Sequence, residues 1–102
     1  MSLELIVRPE AEADALEAFQ WYNEQAPGLG QQFLGELDRT FQAIQSNPLL
    51  QGKVHRELRR ALLRRFPYGV FYAVESQRLV VIAILHTARD PELWRERAKN
   101  AS

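Results

Sequence analysis

The stretch that decides the fold is FPYGVFYAVESQRLVVIAILHTARDPELWRER, which spans residues 66–97. It holds two runs of strand-forming residues, Val70–Val74 and Leu79–Leu85, separated by the polar segment Glu75–Arg78. Valine, isoleucine, tyrosine and phenylalanine suit a pleated, buried surface, and a short polar connection joins neighbouring strands. The pattern therefore predicts a β-hairpin at the centre of a sheet.

The residues that follow this hairpin predict a short helix. Asp90-Pro91-Glu92 is typical of a helix start, with Asp90 as the N-cap and Pro91 at the first position. Trp94 and Arg97 then lie three residues apart, on one face of the helix. Two interpretations of Trp94 stay open: its indole docks this helix onto the fold, or the helix gates a hydrophobic groove.

The first part of the chain predicts a strand and a helix. Leu3–Val7 is a short apolar run, and Pro9 suits the first position of a helix. Glu10, Glu12 and Asp14 fall in the first turns, where the helix dipole favours negative charge. The helix must end before Pro27-Gly28, because this pair breaks helices.

A second helix is predicted from about Leu29 to Gln45, where leucine and phenylalanine recur every three or four residues. The short link at Pro27-Gly28 makes the two helices an antiparallel hairpin. Their apolar stripes need a surface to cover, and the downstream sheet supplies one.

The segment 53–66 is the least regular, because neither its odd nor its even positions are purely apolar. A strand is nevertheless predicted over about Arg59–Arg65, since an antiparallel neighbour of Val70–Val74 would enter through the Pro67-Tyr68-Gly69 turn. The resulting order is β-α-α-β-β-β with a terminal helix. The predicted fold is α+β: one domain over residues 1–102, with a helical hairpin packed on a small antiparallel sheet.

Composition excludes several classes of protein. The 102 residues are 46% hydrophobic and contain no cysteine, so disulfides and thiolate metal sites cannot form. The sequence has no metal-ligand spacing and no glycine-rich phosphate loop, so no metal and no cofactor are expected. The N-terminus lacks a signal-peptide pattern, and the longest apolar run is far short of the ~20 residues of a membrane helix. A cytoplasmic protein without membrane contact is therefore expected.

The net charge of zero conceals an asymmetry. Residues 1–38 hold eight acids and one base, a net charge of −7, whereas residues 53–65 hold six bases and one acid, a net charge of +5. The guanidinium group binds carboxylate or phosphate through two parallel hydrogen bonds. The arginines could form a contact surface, or a solvated strand face that protects a sheet edge. The neutral total makes direct nucleic-acid binding unexpected. The arginine cluster meant here consists of Arg59, Arg60, Arg64 and Arg65, within residues 53–65.

His86 ends the last predicted strand and is the one candidate for a general base. The alternative is a hydrogen-bonded histidine that fixes the turn after the strand. No serine, cysteine or second acid is spaced to form a triad with it, so the structural interpretation is favoured. His55 is interpreted as an incidental loop residue.

The series Phe66-Pro67-Tyr68, Tyr72, His86, Arg89-Asp90-Pro91, Trp94 and Arg97 resembles the ParE branch of the RelE/ParE toxin superfamily. The resemblance runs over nearly the whole chain and implies the toxin of a type II toxin–antitoxin module. It implies a protein that inhibits DNA gyrase by binding and that a cognate antitoxin neutralises. The residues expected to contact antitoxin or target are Arg59, Arg60, Arg64, Arg65, Tyr72, Arg89, Trp94 and Arg97.

The alternative within the superfamily is a RelE-like, ribosome-dependent mRNA endoribonuclease. Such an enzyme must activate a 2′-hydroxyl and stabilise a phosphorane-like charge. His86, Arg64 and Arg60 would then be catalytic. RelE-type enzymes use lysines, arginines and a tyrosine near the C-terminus, whereas this chain has no tyrosine after His86 and only two lysines, Lys53 and Lys99. A degenerate toxin that retains only antitoxin binding is a third possibility.

Overall fold

The computed structural model describes residues 3–100, which form five strands and three helices. The predicted order and the α+β class are confirmed, and one element is added because Lys53–His55, expected to be irregular, forms a strand. In chain order the elements are β1 (Glu4–Val7), α1 (Pro9–Gln25), α2 (Leu29–Ser46), β2 (Lys53–His55), β3 (Leu58–Leu62), β4 (Tyr68–Glu75), β5 (Arg78–His86) and α3 (Pro91–Asn100).

The sheet has the strand order β1-β5-β4-β3-β2, with the predicted hairpin of β4 and β5 near its centre. The sheet is mixed rather than entirely antiparallel, because β1 runs parallel to β5. Glu4 pairs with Arg78 and Val7 with Val81. The expected antiparallel sheet is therefore corrected to a mixed one. Local sequence patterns reveal where strands lie, but they do not reveal in which direction two distant strands pair.

Helices cover both faces of the sheet. α1 and α2 bury their apolar stripes against one face, in a cluster that includes Phe33, Ile44, Val70 and Leu79. The two helices approach closely at Gly30, where an added Cβ would lie 2.6 Å from the Phe19 carbonyl oxygen, so that position requires glycine. α3 packs on the opposite face.

A β-bulge interrupts β5. Phe71 pairs with Ala83 and Tyr72 pairs with Val81, so Ile82 is the extra residue. β1 ends beside Val81, so within residues 3–100 no strand pairs with that side of the following residues of β5, whose other side pairs with β4. This open edge lies between α1 on one face and α3 on the other.

β3 is shorter than expected. It ends at Leu62 rather than at Arg65, because the backbone N–H of Leu63 donates to the Tyr68 carbonyl at 2.9 Å and begins the turn into β4. Arg64 and Arg65 consequently lie in the connection between the two strands.

Candidate functional site

The arginine cluster does not lie on a single face of the sheet. Successive residues of a strand point to opposite sides, so Arg59 faces the α1–α2 side and Arg60 faces the α3 side. The Arg59 guanidinium donates to the carbonyl oxygens of Gln51, at 2.5 Å, and Leu49, at 3.4 Å. Arg59 thus holds the loop between α2 and β2 in place.

Tyr72 has a similar structural role. Its side chain is fully buried, and its hydroxyl donates to the Pro48 carbonyl oxygen at 2.8 Å. Burial raises the pKa of Tyr72, and the nearby positive charge of Arg59 opposes part of that rise. Because it lies inside the core, we remove Tyr72 from the residues expected to contact a partner.

The other three arginines of the cluster, Arg60, Arg64 and Arg65, lie near an exposed leucine. Leu62 is 54% exposed, and it lines one cavity with Arg60 and Lys53 and a second cavity with Arg64 and Arg65. Arg65 is oriented by its hydrogen bond to the Gln32 side chain at 3.1 Å. The exposed Leu62 therefore shares its two cavities with four basic residues. We define the basic surface as Lys53, Arg60, Leu62, Arg64 and Arg65.

Trp94 docks α3 onto the sheet. Its side chain is buried, and its ring stacks on Phe71 with a centroid distance of 5.1 Å and an interplanar angle of 21°. His55, expected to lie in a loop, is the last residue of β2, and its ring approaches the indole edge-on at a centroid distance of 6.2 Å, which gives it a packing role. Of the two interpretations of Trp94, the geometry supports docking.

A polar cleft of about 140 Å³ lies at the open edge of β5. It brings together Arg89 and Arg97, which the sequence singles out, with Tyr68, His86 and Asp14. Arg89 is exposed at the cleft. Burial raises the pKa of Tyr68, and the charge of Arg89 acts in the opposite direction.

Arg97 is engaged within the cleft. Its Nη2 donates to Asp14 Oδ1 at 3.0 Å, its Nη1 donates to Asp14 Oδ2, and Nη1 also reaches the Ile82 carbonyl oxygen at 3.3 Å. Asp14 Oδ2 accepts a further bond, from the Ile84 backbone N–H at 3.0 Å. The hydrogen bond to Asp14 raises the pKa of Arg97. Arg97 therefore closes the sheet edge instead of projecting toward a partner.

His86 is held by its neighbours. Its Nδ1 accepts a hydrogen bond from the Ala88 backbone N–H at 3.0 Å, and its ring contacts Tyr68 with a centroid distance of 5.4 Å. This hydrogen bond ties the imidazole to the turn that follows β5. The three nuclease candidates also line three different cavities: His86 in the polar cleft, and Arg64 and Arg60 in the two that share Leu62.

Sequence reasoning missed two residues of these sites. Asp14 is assigned only to the helix dipole, yet it shares a helix face with Ala11, Ala18 and Tyr22, the buried stripe of α1. That spacing was a usable signal. The sequence signal for Leu62 was weaker, because the position of one apolar residue among arginines does not predict whether its side chain is exposed.

Two observations concern other kinds of site. Within residues 3–100, no three histidine, aspartate or glutamate side chains are grouped so that they could hold a metal ion. In that same range, no helix has the length and apolarity needed to cross a membrane.

Two solved structures share this arrangement of helices and strands. A chain of the chromosomal ParDE toxin–antitoxin system from P. aeruginosa superposes with a TM-score of 0.75 at 16% identity, covering 83% of this chain and 96% of that one. A mutant of the E. coli toxin RelE in the free state superposes with a TM-score of 0.64 at 16% identity, covering 98% of each chain. The molecule thus has the fold of RelE/ParE toxins.

The family itself follows from the sequence. Residues 5–91 match the family described as ParE toxin of type II toxin-antitoxin system, parDE. The chain belongs to this family. No curated protein sequence matches it.

Proposed function

We propose that this ParE-type toxin acts by binding proteins: it inhibits DNA gyrase, and a cognate antitoxin neutralises it. The supporting observation is the basic surface, where the exposed Leu62 lies among Lys53, Arg60, Arg64 and Arg65. An apolar centre surrounded by cations suits an acidic protein partner. The apolar contact contributes affinity, and the charges orient the partner and accelerate encounter.

Gyrase inhibition is favoured over RNA cleavage because of where the titratable groups lie. General acid–base catalysis requires the acid, the base and the charge stabiliser within hydrogen-bond reach of one reacting phosphate. Arg60, Arg64 and His86 line three different cavities, and the Nδ1 atom of His86 accepts a backbone hydrogen bond. Ribosome-dependent mRNA cleavage is the alternative function, and the assays below distinguish it from gyrase inhibition.

Two assays on the purified chain separate these functions. The expected result is inhibition of gyrase supercoiling or accumulation of cleaved DNA, without site-specific cuts in mRNA in a translating extract. Site-specific cuts that disappear in His86→Ala or Arg64→Ala would support the nuclease instead. A chain inactive in both assays that still binds its antitoxin would identify a degenerate toxin.

The antitoxin is proposed to place acidic residues against the basic surface. Co-expression with the neighbouring antitoxin gene should abolish toxicity and yield a stable complex. Arg60→Glu, which reverses one charge of the basic surface, should weaken that complex, whereas Leu50→Ser, in the exposed α2–β2 loop, should leave it unchanged. Gyrase acts in the cytoplasm, which is therefore the proposed compartment.

A further inference from the structure

A further cavity lies on the α3 face of the sheet. It has a volume of about 340 Å³ and lies between α3, the turn that joins β2 to β3, and strands β3, β4 and β5. None of its described lining residues belongs to the basic surface or to the polar cleft. Its apolar lining includes Leu58, Ala73 and Ile82 from the three strands and Ala98 from α3.

Two alanines create the space for this cavity. On β4, Phe71 and Ala73 are two residues apart and therefore face the same side of the sheet. On α3, Trp94 and Ala98 are four residues apart and lie on the same face of the helix. Trp94 stacks on Phe71 and fills that part of the interface between α3 and the sheet. The side chains of Ala73 and Ala98, which both line the cavity, are too short to fill the next part.

The opening of the cavity has an excess of positive charge. Both carboxylates of its lining have a basic partner that is not part of the lining. Lys53 Nζ lies 3.1 Å from Glu57 Oε2, and Arg78 Nη2 lies 3.8 Å from Glu75 Oε1. Two exposed cations therefore add to a pair of carboxylates that are already neutralised. The charged residues of the lining are Arg56, Glu57, Glu75 and Lys99.

The backbone fixes Arg56 at this opening. Arg56 is the first residue of the two-residue turn between β2 and β3, in which His55 pairs with Leu58. Its φ of +52° lies in the left-handed region that side chains with a Cβ disfavour. Among residues 3–100, no carboxylate forms an ion pair with its guanidinium. Arg56 is therefore an available cation beside an apolar cavity.

We infer that this cavity binds a small organic acid, whose apolar body lies between Ala73 and Ala98 and whose carboxylate lies beside Arg56 and Lys99. Small-molecule sites have volumes of about 300–1,000 Å³, and a few polar groups orient the ligand in a mainly apolar lining. One water molecule occupies about 30 Å³ in the liquid, so this cavity accepts roughly ten non-hydrogen atoms. A charged amine of the same size would be repelled by the two cations.

Octanoate is a suitable probe, because it has about ten non-hydrogen atoms and one carboxylate. In nuclear magnetic resonance spectra of the isotope-labelled full chain, octanoate should shift the signals of Ala73, Ala98 and the Trp94 indole. We expect a dissociation constant of about 1 mM or lower. Octylamine, which has the same alkyl chain and a positive charge, should bind at least about tenfold more weakly.

Variants locate the site. Ala98→Leu and Ala73→Leu each fill the cavity and should each weaken octanoate binding by about tenfold or more. Ala15→Leu, at an alanine of α1 that is half-buried like the other two, is the matched control and should bind octanoate like the unmodified chain. Arg56→Gln keeps the turn and should weaken octanoate by about two- to fivefold, with no loss for octylamine. Circular dichroism melts confirm that each variant is folded.

Several results would overturn the inference. They are the absence of shifts at about 5 mM octanoate, shifts that map outside the cavity, and octylamine or the neutral 1-octanol binding as tightly as octanoate. Unchanged binding in folded Ala98→Leu and Ala73→Leu, or an equal loss in Ala15→Leu, would do the same. The measurement involves neither gyrase nor antitoxin, so its outcome is independent of the proposed function.

Discussion

Asp14 and Arg97 are 83 residues apart in sequence, yet they form a two-bond ion pair across the open edge of β5. The pair joins α1, on one face of the sheet, to α3, on the other. It also satisfies two backbone groups that the strands in the described part of the chain leave unpaired: Asp14 accepts from the Ile84 N–H, and Arg97 donates to the Ile82 carbonyl. The pair therefore substitutes for the strand that β1 is too short to provide.

Removing either member of this pair should destabilise the fold. Asp14→Ala and Arg97→Ala are each expected to cost about 3 kcal/mol, since each leaves a largely buried charge without its partner. The double variant should lose about 1–2 kcal/mol less than the sum of the two single variants. Urea unfolding followed by circular dichroism measures these free energies.

A solvent-exposed ion pair supplies the control. Lys53 and Glu57 are 3.1 Å apart, and the Glu57 side chain is highly exposed. Glu57→Gln should change the free energy of unfolding by less than about 0.5 kcal/mol. Strictly additive losses at Asp14 and Arg97 would contradict the coupling.

Trp94 should account for much of the attachment of α3. Trp94→Ala removes its stacking on Phe71 and leaves a cavity, so we expect a loss of about 3–5 kcal/mol of unfolding free energy. Trp21→Ala, at an exposed indole on α1, should cost under about 1 kcal/mol. Equal losses in the two variants, measured by chemical unfolding, would show that Trp94 does not dock the helix.

The chain should lose stability above pH 10. Burial raises the pKa of Tyr22, Tyr68 and Tyr72 above the ordinary value of 10.0. Folding therefore favours the protonated phenols, and this stabilisation is fully present below pH 10 and lost as pH rises through the folded-state pKa values. Phenolate absorbance should develop together with unfolding. Three tyrosines that ionise near pH 10 in the folded chain would refute this.

The turn between β4 and β5 contains a strained residue. Ser76 has φ +47°, in the left-handed region that side chains with a Cβ disfavour. Ser76→Gly should raise the free energy of unfolding by roughly 0.5–1 kcal/mol, because relief of strain exceeds the entropy cost of glycine. Ser76→Ala keeps the Cβ and should give no such gain. An equal gain in the free energy of unfolding with Ser76→Ala would show that backbone strain at this residue is not the cause.

Charges on the basic surface should act on association. Arg64→Ala combined with Arg65→Ala should slow binding of the cognate antitoxin more than it speeds dissociation, and binding should weaken as salt rises. Surface plasmon resonance separates the two rates. Arg78→Ala, which removes a surface charge at the start of β5, serves as the control. Salt-independent binding would exclude an electrostatic contribution from this surface.

Local pattern was sufficient for most of the secondary structure. The apolar runs of β4 and β5, the helix break at Pro27-Gly28 and the cap at Asp90 each depend on neighbours in sequence. Asp90 Oδ1 indeed accepts the Glu92 backbone N–H at 3.0 Å, as a helix cap should. The family resemblance was likewise carried by local motifs.

Local pattern did not predict which of the candidate site residues would be exposed and which would be engaged within the fold. Arg59 and Tyr72 are hydrogen-bonded to the α2–β2 loop, Trp94 stacks on Phe71, and Arg97 is paired with Asp14. Each of these contacts depends on side chains that are brought together by the fold, so residue type alone could not distinguish an exposed contact residue from a buried one.

The amino-acid sequence by itself determined the element order, the α+β class and the family, because periodicity, caps and turn residues act over a few positions. Only the tertiary structure decided that β1 runs parallel to β5, that Asp14 closes the sheet edge with Arg97, and that Leu62 is exposed among cations. The physical reason is that strand pairing, burial and ion pairing depend on which distant segments meet, and those distances are set when the whole chain packs around one core.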